Sequence, residues 1–174
     1  MHGRMDDYRS EDAPGVRAVF NHFVQHSFAA YPTEPVSEAF DAWLAQVAAK
    51  YPVITVRGET GSIIGFGLLR AYHSAGSFSR TAELTYFLLP GATGHGIGTA
   101  LLHQLIDRGR AMGLRTLLAN ISSRNDQSLA FHRKHGFEEV GRFRSIGEKF
   151  GEEFDVVYMQ RFIGAEPARL RGGE

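Results

Sequence analysis

The chain contains no cysteine among its 174 residues. That excludes disulfides, thiolate metal sites and a cysteine nucleophile, and it fits a reducing compartment. It also has no surplus of charge, since 19 Lys and Arg balance 19 Asp and Glu. Nothing therefore draws the protein in bulk to nucleic acid or to an anionic membrane surface. Long apolar runs are missing too, and none approaches the roughly 18 residues that span a bilayer. The opening MHGRMDDYRSEDAPGV lacks the apolar stretch of a secretion signal. No repeat and no low-complexity linker divides the sequence. The expectation is one cytoplasmic domain over residues 1–174, with its core at about 8–163 and a polar tail, 164–174.

What is present is the makeup of an ordinary globular protein, 43% hydrophobic and 22% charged. Val16, Val19, Phe20, Phe23 and Val24 recur at helical spacing behind Pro14, which predicts an amphipathic helix over 13–28. A second helix is predicted over 37–50 with Ser37 as its cap. The period then changes. PVITVRG and GSIIGFGLLRAY flank a turn and predict paired antiparallel strands, and RTAELTYFLLP predicts a longer strand ended by Pro90. A helix over 97–112, the strand RTLLANI, the short helix DQSLAFHRKH and the strands EEVGRFRSI and FDVVYMQRF complete the order. The pattern predicts a mixed α/β (α+β) fold: a largely antiparallel sheet of about six to seven strands flanked by about four helices.

Between the long strand and the third helix lies TGHGIGTALL, with glycine at 94, 96 and 98. Glycine is entropically costly at a helix start, so the turn needs either unusual backbone angles or close approach. A strand, a glycine turn and a helix N-terminus together aim backbone N–H groups at an anion. Two nucleotide motifs share this layout and neither matches. A Walker A loop needs Lys after its last glycine, and the dinucleotide spacing lands on Thr99 or Leu101 instead of glycine. The alternative is that the glycines only let the helix pack closely on the sheet.

Downstream, NDQSLAFHRKHGF supplies Asn125, Ser128, Phe131, His132, Gly136 and Phe137 at family spacing. Together with the G-x-G turn this resembles the GNAT N-acetyltransferases. VFNHFVQHSFAAYPTEP, RTAELTYFLLP and VGRFRSIGEKFGEEFDVVYMQ look like the phosphinothricin/methionine sulfoximine branch, over about residues 8 to 163. The resemblance implies acetyl-CoA as co-substrate, without a metal. It implies backbone contacts to the diphosphate from Gly94, His95, Gly96, Ile97, Gly98 and Thr99. Tyr86, Phe87 and Leu88 would follow the pantetheine, with Asn125 and Ser128 adding contacts from the next helix. Thr93 stands where Arg or Gln is usual, which removes one side-chain contact to the diphosphate.

Acetyl transfer to an amine needs a base for the amine proton, donors for the oxyanion and a proton for the leaving thiolate. Read from the residues, Glu83 is either a strand carboxylate that is solvated or paired with Arg80, or that base; the resemblance implies the base. His132 stands where many family members carry a tyrosine proposed as general acid, and it can equally be a packed helix-face histidine. His22 and His26, like His132 and His135, have helical spacing but lack the carboxylate of a recognised metal pattern.

The acceptor implied is a small primary amine, an amino acid or an analogue of one. The loop AYHSAGSFS offers His73 and Phe78 to it. GEEFD puts Glu152 and Glu153 where the branch prefers Arg-Trp, so Glu153 is a candidate contact favouring a neutral or cationic amine over phosphinothricin. A homodimer is expected, with FDVVYMQRF helping to build or support its interface. Two other readings stay open: an acyl-CoA-binding regulatory module with little turnover, and a peptide or protein N-acetyltransferase.

Overall fold

The structure, a computed structural model, describes residues 3–164. One seven-stranded sheet runs through them. Its strands are β1 (Arg4–Asp7), β2 (Val53–Arg57), β3 (Ile63–Ala71), β4 (Thr81–Leu88), β5 (Thr116–Ser122), β6 (Glu138–Lys149) and β7 (Glu152–Phe162). The helices are α1 (Ala13–His26), α2 (Ala39–Ala48), α3 (Ile97–Ala111) and α4 (Asp126–Lys134). The strand order is β1-β2-β3-β4-β5-β7-β6. Every neighbouring pair is antiparallel except β4 and β5.

Strand alternation sorts the core onto two faces. Phe66, Leu68 and Phe87 face Val16, Val19 and Val24 of α1 and Leu44 of α2. Ala82, Leu84, Leu117 and Ala119 face Leu101, Leu102 and Leu105 of α3 and Leu129 of α4. Gly67 lets α3 come close: a Cβ there would meet Leu105 at 2.9 Å.

The observed elements lie within a few residues of those predicted, with one addition. β1 is four residues long and carries Arg4, Asp6 and Asp7, so it shows no apolar period. It is an edge strand held by its ladder to β2. The Ser37 hydroxyl accepts the Ala39 N–H at 3.4 Å, just ahead of α2. Of the tail expected at 164–174, residues 165–174 lie outside the described residues.

The feature that shapes the site is where β4 and β5 part. Their parallel pairing covers Thr81 to Glu83 against Thr116 to Leu118 and then stops. β4 continues to Leu88 and β5 to Ser122 without further pairing to each other. A cleft opens in that gap.

Candidate active site

The cleft, about 260 Å³, passes between Leu84–Phe87 of β4 and Ala119–Ser122 of β5. Asn125, Ser128 and His132 of the α4 region close one end, and Tyr31, Phe40, Trp43 and Arg70 line the other. Its walls are mostly apolar, and Arg70 is the one formally charged side chain among them.

Ladder alternation decides which backbone groups of β4 look into the gap. Leu89 N–H donates to Ile64 O at 2.9 Å, so residues 87, 85 and 83 direct their N–H and C=O groups toward β3. Leu84, Tyr86 and Leu88 then turn theirs toward the unpaired side. Of the three residues expected along the pantetheine, Tyr86 and Leu88 offer free backbone. Phe87 spends its backbone on β3 and its buried ring on the α1 face.

Past Pro90, the three glycines divide by role. Gly94 and Gly96 have φ of 81° and 78°, and a Cβ on either would meet nothing within 4 Å. They are there for conformation, and the surface over them is open. Gly98 is the packing glycine, where a Cβ would lie 3.4 Å from Leu88 and 3.5 Å from Phe131. Gly96 caps α3, and the first intrahelical bond, Ala100 N–H to Gly96 O at 3.0 Å, leaves the N–H groups ahead of it without helical acceptors. The Ile97 side chain is core, so only its backbone is available. Thr99 Oγ1 lies 3.3 Å from His135 Nε2. His95 is exposed, with Nδ1 2.8 Å from Thr93 O. Thr93 itself donates its hydroxyl to Pro90 O at 2.8 Å, so its side chain serves the turn. An open concave backbone beside a helix N-terminus fits a diphosphate.

Asn125 is the N-cap of α4, where its Oδ1 accepts Ser128 N–H at 3.2 Å. One turn after Ser128, His132 is buried, and its Nδ1 lies 2.8 Å from Ser128 O. A carbonyl only accepts, so Nδ1 carries the proton and Nε2 is left as an acceptor. The Tyr86 hydroxyl lies 3.3 Å from that Nε2, and the two rings stack at 5.5 Å. Burial pushes His132 down to about 4 and raises Tyr86. The pair is neutral at pH 7.

Glu83 sits on the α1 face of β4, 8% exposed. Its partner is Arg70, its direct cross-strand neighbour on β3, with the guanidinium and carboxylate in contact. This corrects the pairing with Arg80, whose carbonyl instead accepts Arg115 N–H at 2.8 Å at the exposed start of the strand. Burial raises the Glu83 pKa, and Arg70 opposes the rise. Glu83 does not itself line the cleft; its neighbours Arg70 and Leu84 do.

The three candidate acceptor contacts lie outside the cleft. His73 and Phe78 pack on each other at 5.0 Å in an exposed loop, and His73 Nδ1 accepts Ala75 N–H at 3.0 Å. Glu153 is exposed at the β6–β7 hairpin, while Glu152 pairs with Arg124 at 2.9 Å. What lines the acceptor end was not singled out in the sequence: Arg70, Tyr31 and the ring pair Phe40 and Trp43. Tyr31 stacks on Phe154 at 5.7 Å, and desolvation raises its pKa. The loop bearing Tyr31 is tied down by Lys149, whose buried Nζ donates to Ser27 O at 2.8 Å and Ala30 O at 2.6 Å. Among the described residues, no three His, Asp or Glu side chains gather as a metal site.

Comparison with known proteins shows the family. Residues 16–137 match the acetyltransferase (GNAT) family. The chain is 32% identical over 171 residues to an L-methionine sulfoximine/L-methionine sulfone acetyltransferase of Pseudomonas paraeruginosa, covering 97% of this chain and 98% of that protein. It is 32% identical over 154 residues to an L-amino acid N-acyltransferase of Escherichia coli, covering 87% and 89%. Among solved structures, a phosphinothricin acetyltransferase from Sinorhizobium meliloti in complex with AcCoA superposes with a TM-score of 0.88 at 31% identity, covering 94% of this chain and 90% of that one. With a parted β4–β5 pair, a glycine turn capping α3 and an asparagine capping α4, the chain belongs to the GNAT acetyltransferase family.

Proposed function

We propose that this protein is an acetyl-CoA-dependent N-acetyltransferase acting on the primary amine of a small molecule, an amino acid or an amino-acid analogue. The observation that carries the reading is the cleft in the parted sheet, which runs from the α4 cap at Asn125 to Arg70, the ion-pair partner of the buried Glu83. The activities named for the similar proteins are acyl transfers to amino acids or their analogues, and one of those proteins was solved with AcCoA.

In this reading the backbone from Gly94 to Thr99 holds the diphosphate, and the free backbone of Tyr86 and Leu88 meets the pantetheine and the thioester oxygen. Bound acetyl-CoA supplies an activated acetyl carbonyl. The amine nitrogen bonds to that carbon, the carbon–sulfur bond breaks, and the thiolate takes a proton. Glu83 receives the amine proton through a water, because it stands one residue back from the cleft wall. A free amine is mostly protonated at neutral pH, so such a base has work to do. On the leaving-group side we assign Tyr86, whose single O–H donates to Nε2 of His132 in the free enzyme and turns to the thiolate as the carbon–sulfur bond breaks. His132 thus acts through its neighbour.

We infer a cytoplasmic homodimer. A cysteine-free chain suits a reducing compartment, and among the described residues no helix is long and apolar enough to cross a membrane. For the dimer, support comes from β6 more than from β7. β7 lies between β5 and β6, whereas the edge strand β6 leaves Val140, Phe143 and Ile146 more than half exposed.

The test is release of free thiol from acetyl-CoA across a panel of amino acids, polyamines and peptides. Release with amino acids supports the proposal. Acetyl-CoA binding without release under any acceptor would favour a regulatory module, and release with peptides alone would favour a protein acetyltransferase.

A further inference from the structure

The acceptor end of the cleft holds two charged groups of opposite sign on adjacent strands. Arg70 and Glu83 are register partners in a hydrogen-bonded pair, which sets their Cα atoms about 5.5 Å apart, and both side chains stand on the α1 face. Arg70 lines the cleft, and its side chain is 41% exposed. Glu83 is buried behind it, with its side chain 11% exposed. A guanidinium presents five N–H donors, and one carboxylate cannot use them all. The exposed part of Arg70 therefore keeps donors turned to the cleft. The walls near it, Phe40, Trp43, Phe66 and Leu68, carry no charge.

An α-amino acid is the complement of this pair, since its ammonium and carboxylate sit on one carbon. We propose that Arg70 is the specificity-determining contact for the acceptor: it takes the α-carboxylate, and that contact turns the α-amine toward Glu83. The inference rests on the acetyltransferase reading and adds to it the residue that reads the carboxylate of the acceptor. Arg70 then has two tasks. In the free enzyme it opposes the rise that burial imposes on the Glu83 pKa. With acceptor bound it offers its outward donors to the carboxylate, a charge-assisted and geometrically selective contact. An amine lacking the carboxylate loses that contact and leaves the guanidinium donors facing an apolar wall.

The experiment compares L-methionine with L-methioninamide, which differ only at the carboxylate, on wild type, Arg70→Met and Arg70→Lys. Loss of Arg70 also perturbs Glu83, and the less basic amine of the amide needs that base less, so the change in the ratio of kcat/KM values is read against the change in Glu83→Gln, and the excess isolates the carboxylate contact. We expect Arg70→Met to lower the acid-to-amide ratio by about tenfold or more, and Arg70→Lys to recover part of it. A ratio unchanged within about twofold in Arg70→Met overturns the proposal. A second measurement needs no variant. The deaminated acid, 4-(methylthio)butanoate, should compete with the acceptor on wild type while its amide does not, and equal inhibition by the two overturns the proposal. Thiol release with both methionine and its amide, but with no preference lost in Arg70→Met, would sink the role of Arg70 and leave the acetyltransferase standing. No release with either acceptor from an enzyme that binds acetyl-CoA would sink both.

Discussion

The Tyr86 hydroxyl lies 3.3 Å from Nε2 of His132, whose other nitrogen is 2.8 Å from the Ser128 carbonyl. The Ser128 carbonyl fixes the tautomer of the imidazole. Burial holds it neutral, with its pKa lowered to about 4. The unfolded chain takes up a proton near the ordinary histidine value of about 6.5, and the folded chain does not until about 4. Between these values the unfolded state binds more protons, so stability falls as pH drops through that window and changes no further below it. The expected loss is on the order of 3 kcal/mol. Urea unfolding at pH 7, 5.5 and 4 checks it, with a shallower decline expected for His132→Gln. Equal declines in the two proteins would show that His132 is not held neutral.

Glu83→Gln should fold and bind acetyl-CoA yet lose about 10²–10⁴-fold in kcat at neutral pH. Burial raises the Glu83 pKa, so the wild-type rate should climb as pH rises through that raised value. The gap between the two enzymes should narrow at high pH, where the free amine needs less help. A full-rate Glu83→Gln enzyme at pH 7 would remove Glu83 from the mechanism.

Among the described residues, Arg70 is the single formally charged side chain lining the cleft. One cation matches one carboxylate and leaves a second anion unpaired, which costs binding energy in an apolar pocket. Phosphinothricin carries a side-chain phosphinate beside its α-carboxylate, whereas methionine sulfoximine is uncharged there. The expected order of kcat/KM is methionine sulfoximine above phosphinothricin, by about tenfold or more. The reverse order would mean that another cation reaches the acceptor. The expectation of a neutral or cationic amine rested on Glu152 and Glu153, and neither lines the cleft.

The exposed apolar residues of β6 predict a dimer at micromolar concentration. Val140→Glu with Ile146→Glu should give a monomeric mass by light scattering, because a charge at the centre of an apolar interface is not compensated. A wild-type monomer, or a dimer unaffected by both changes, would place the interface elsewhere or abolish it.

How much of this was legible in the sequence depended on the range of the interaction. The glycine turn and the Asn125–Phe137 segment are local, so their spacing named their roles, and the helices followed from their apolar period. β1 was missed because four residues rich in charge have no period to detect; only the β2 ladder makes them a strand. β6 runs three residues past the predicted Ile146 because Asp155 Oδ1 accepts Ser145 N–H at 2.9 Å across a register shift, and Ser145 tolerates φ of 45° there. The Arg70–Glu83 pair was hidden because it depends on β3–β4 register. Arg80, three residues before Glu83, was the nearer choice by sequence alone. Tyr31 sits in a loop with no periodicity, and the hold of Lys149 on that loop spans 119 residues between Lys149 and Ala30.

The claim on which the rest depends is that acetyl-CoA is held by the backbone of the Gly94–Thr99 turn, and its most direct test is calorimetric titration of acetyl-CoA into wild type, Gly96→Asn and Gly96→Asp. Asparagine and aspartate both tolerate the left-handed backbone of Gly96, and the space above it is open, so the two variants differ mainly in charge. The account predicts that Gly96→Asp binds at least about tenfold more weakly than wild type, with Gly96→Asn between them. A folded Gly96→Asp protein that binds acetyl-CoA as tightly as wild type would contradict it.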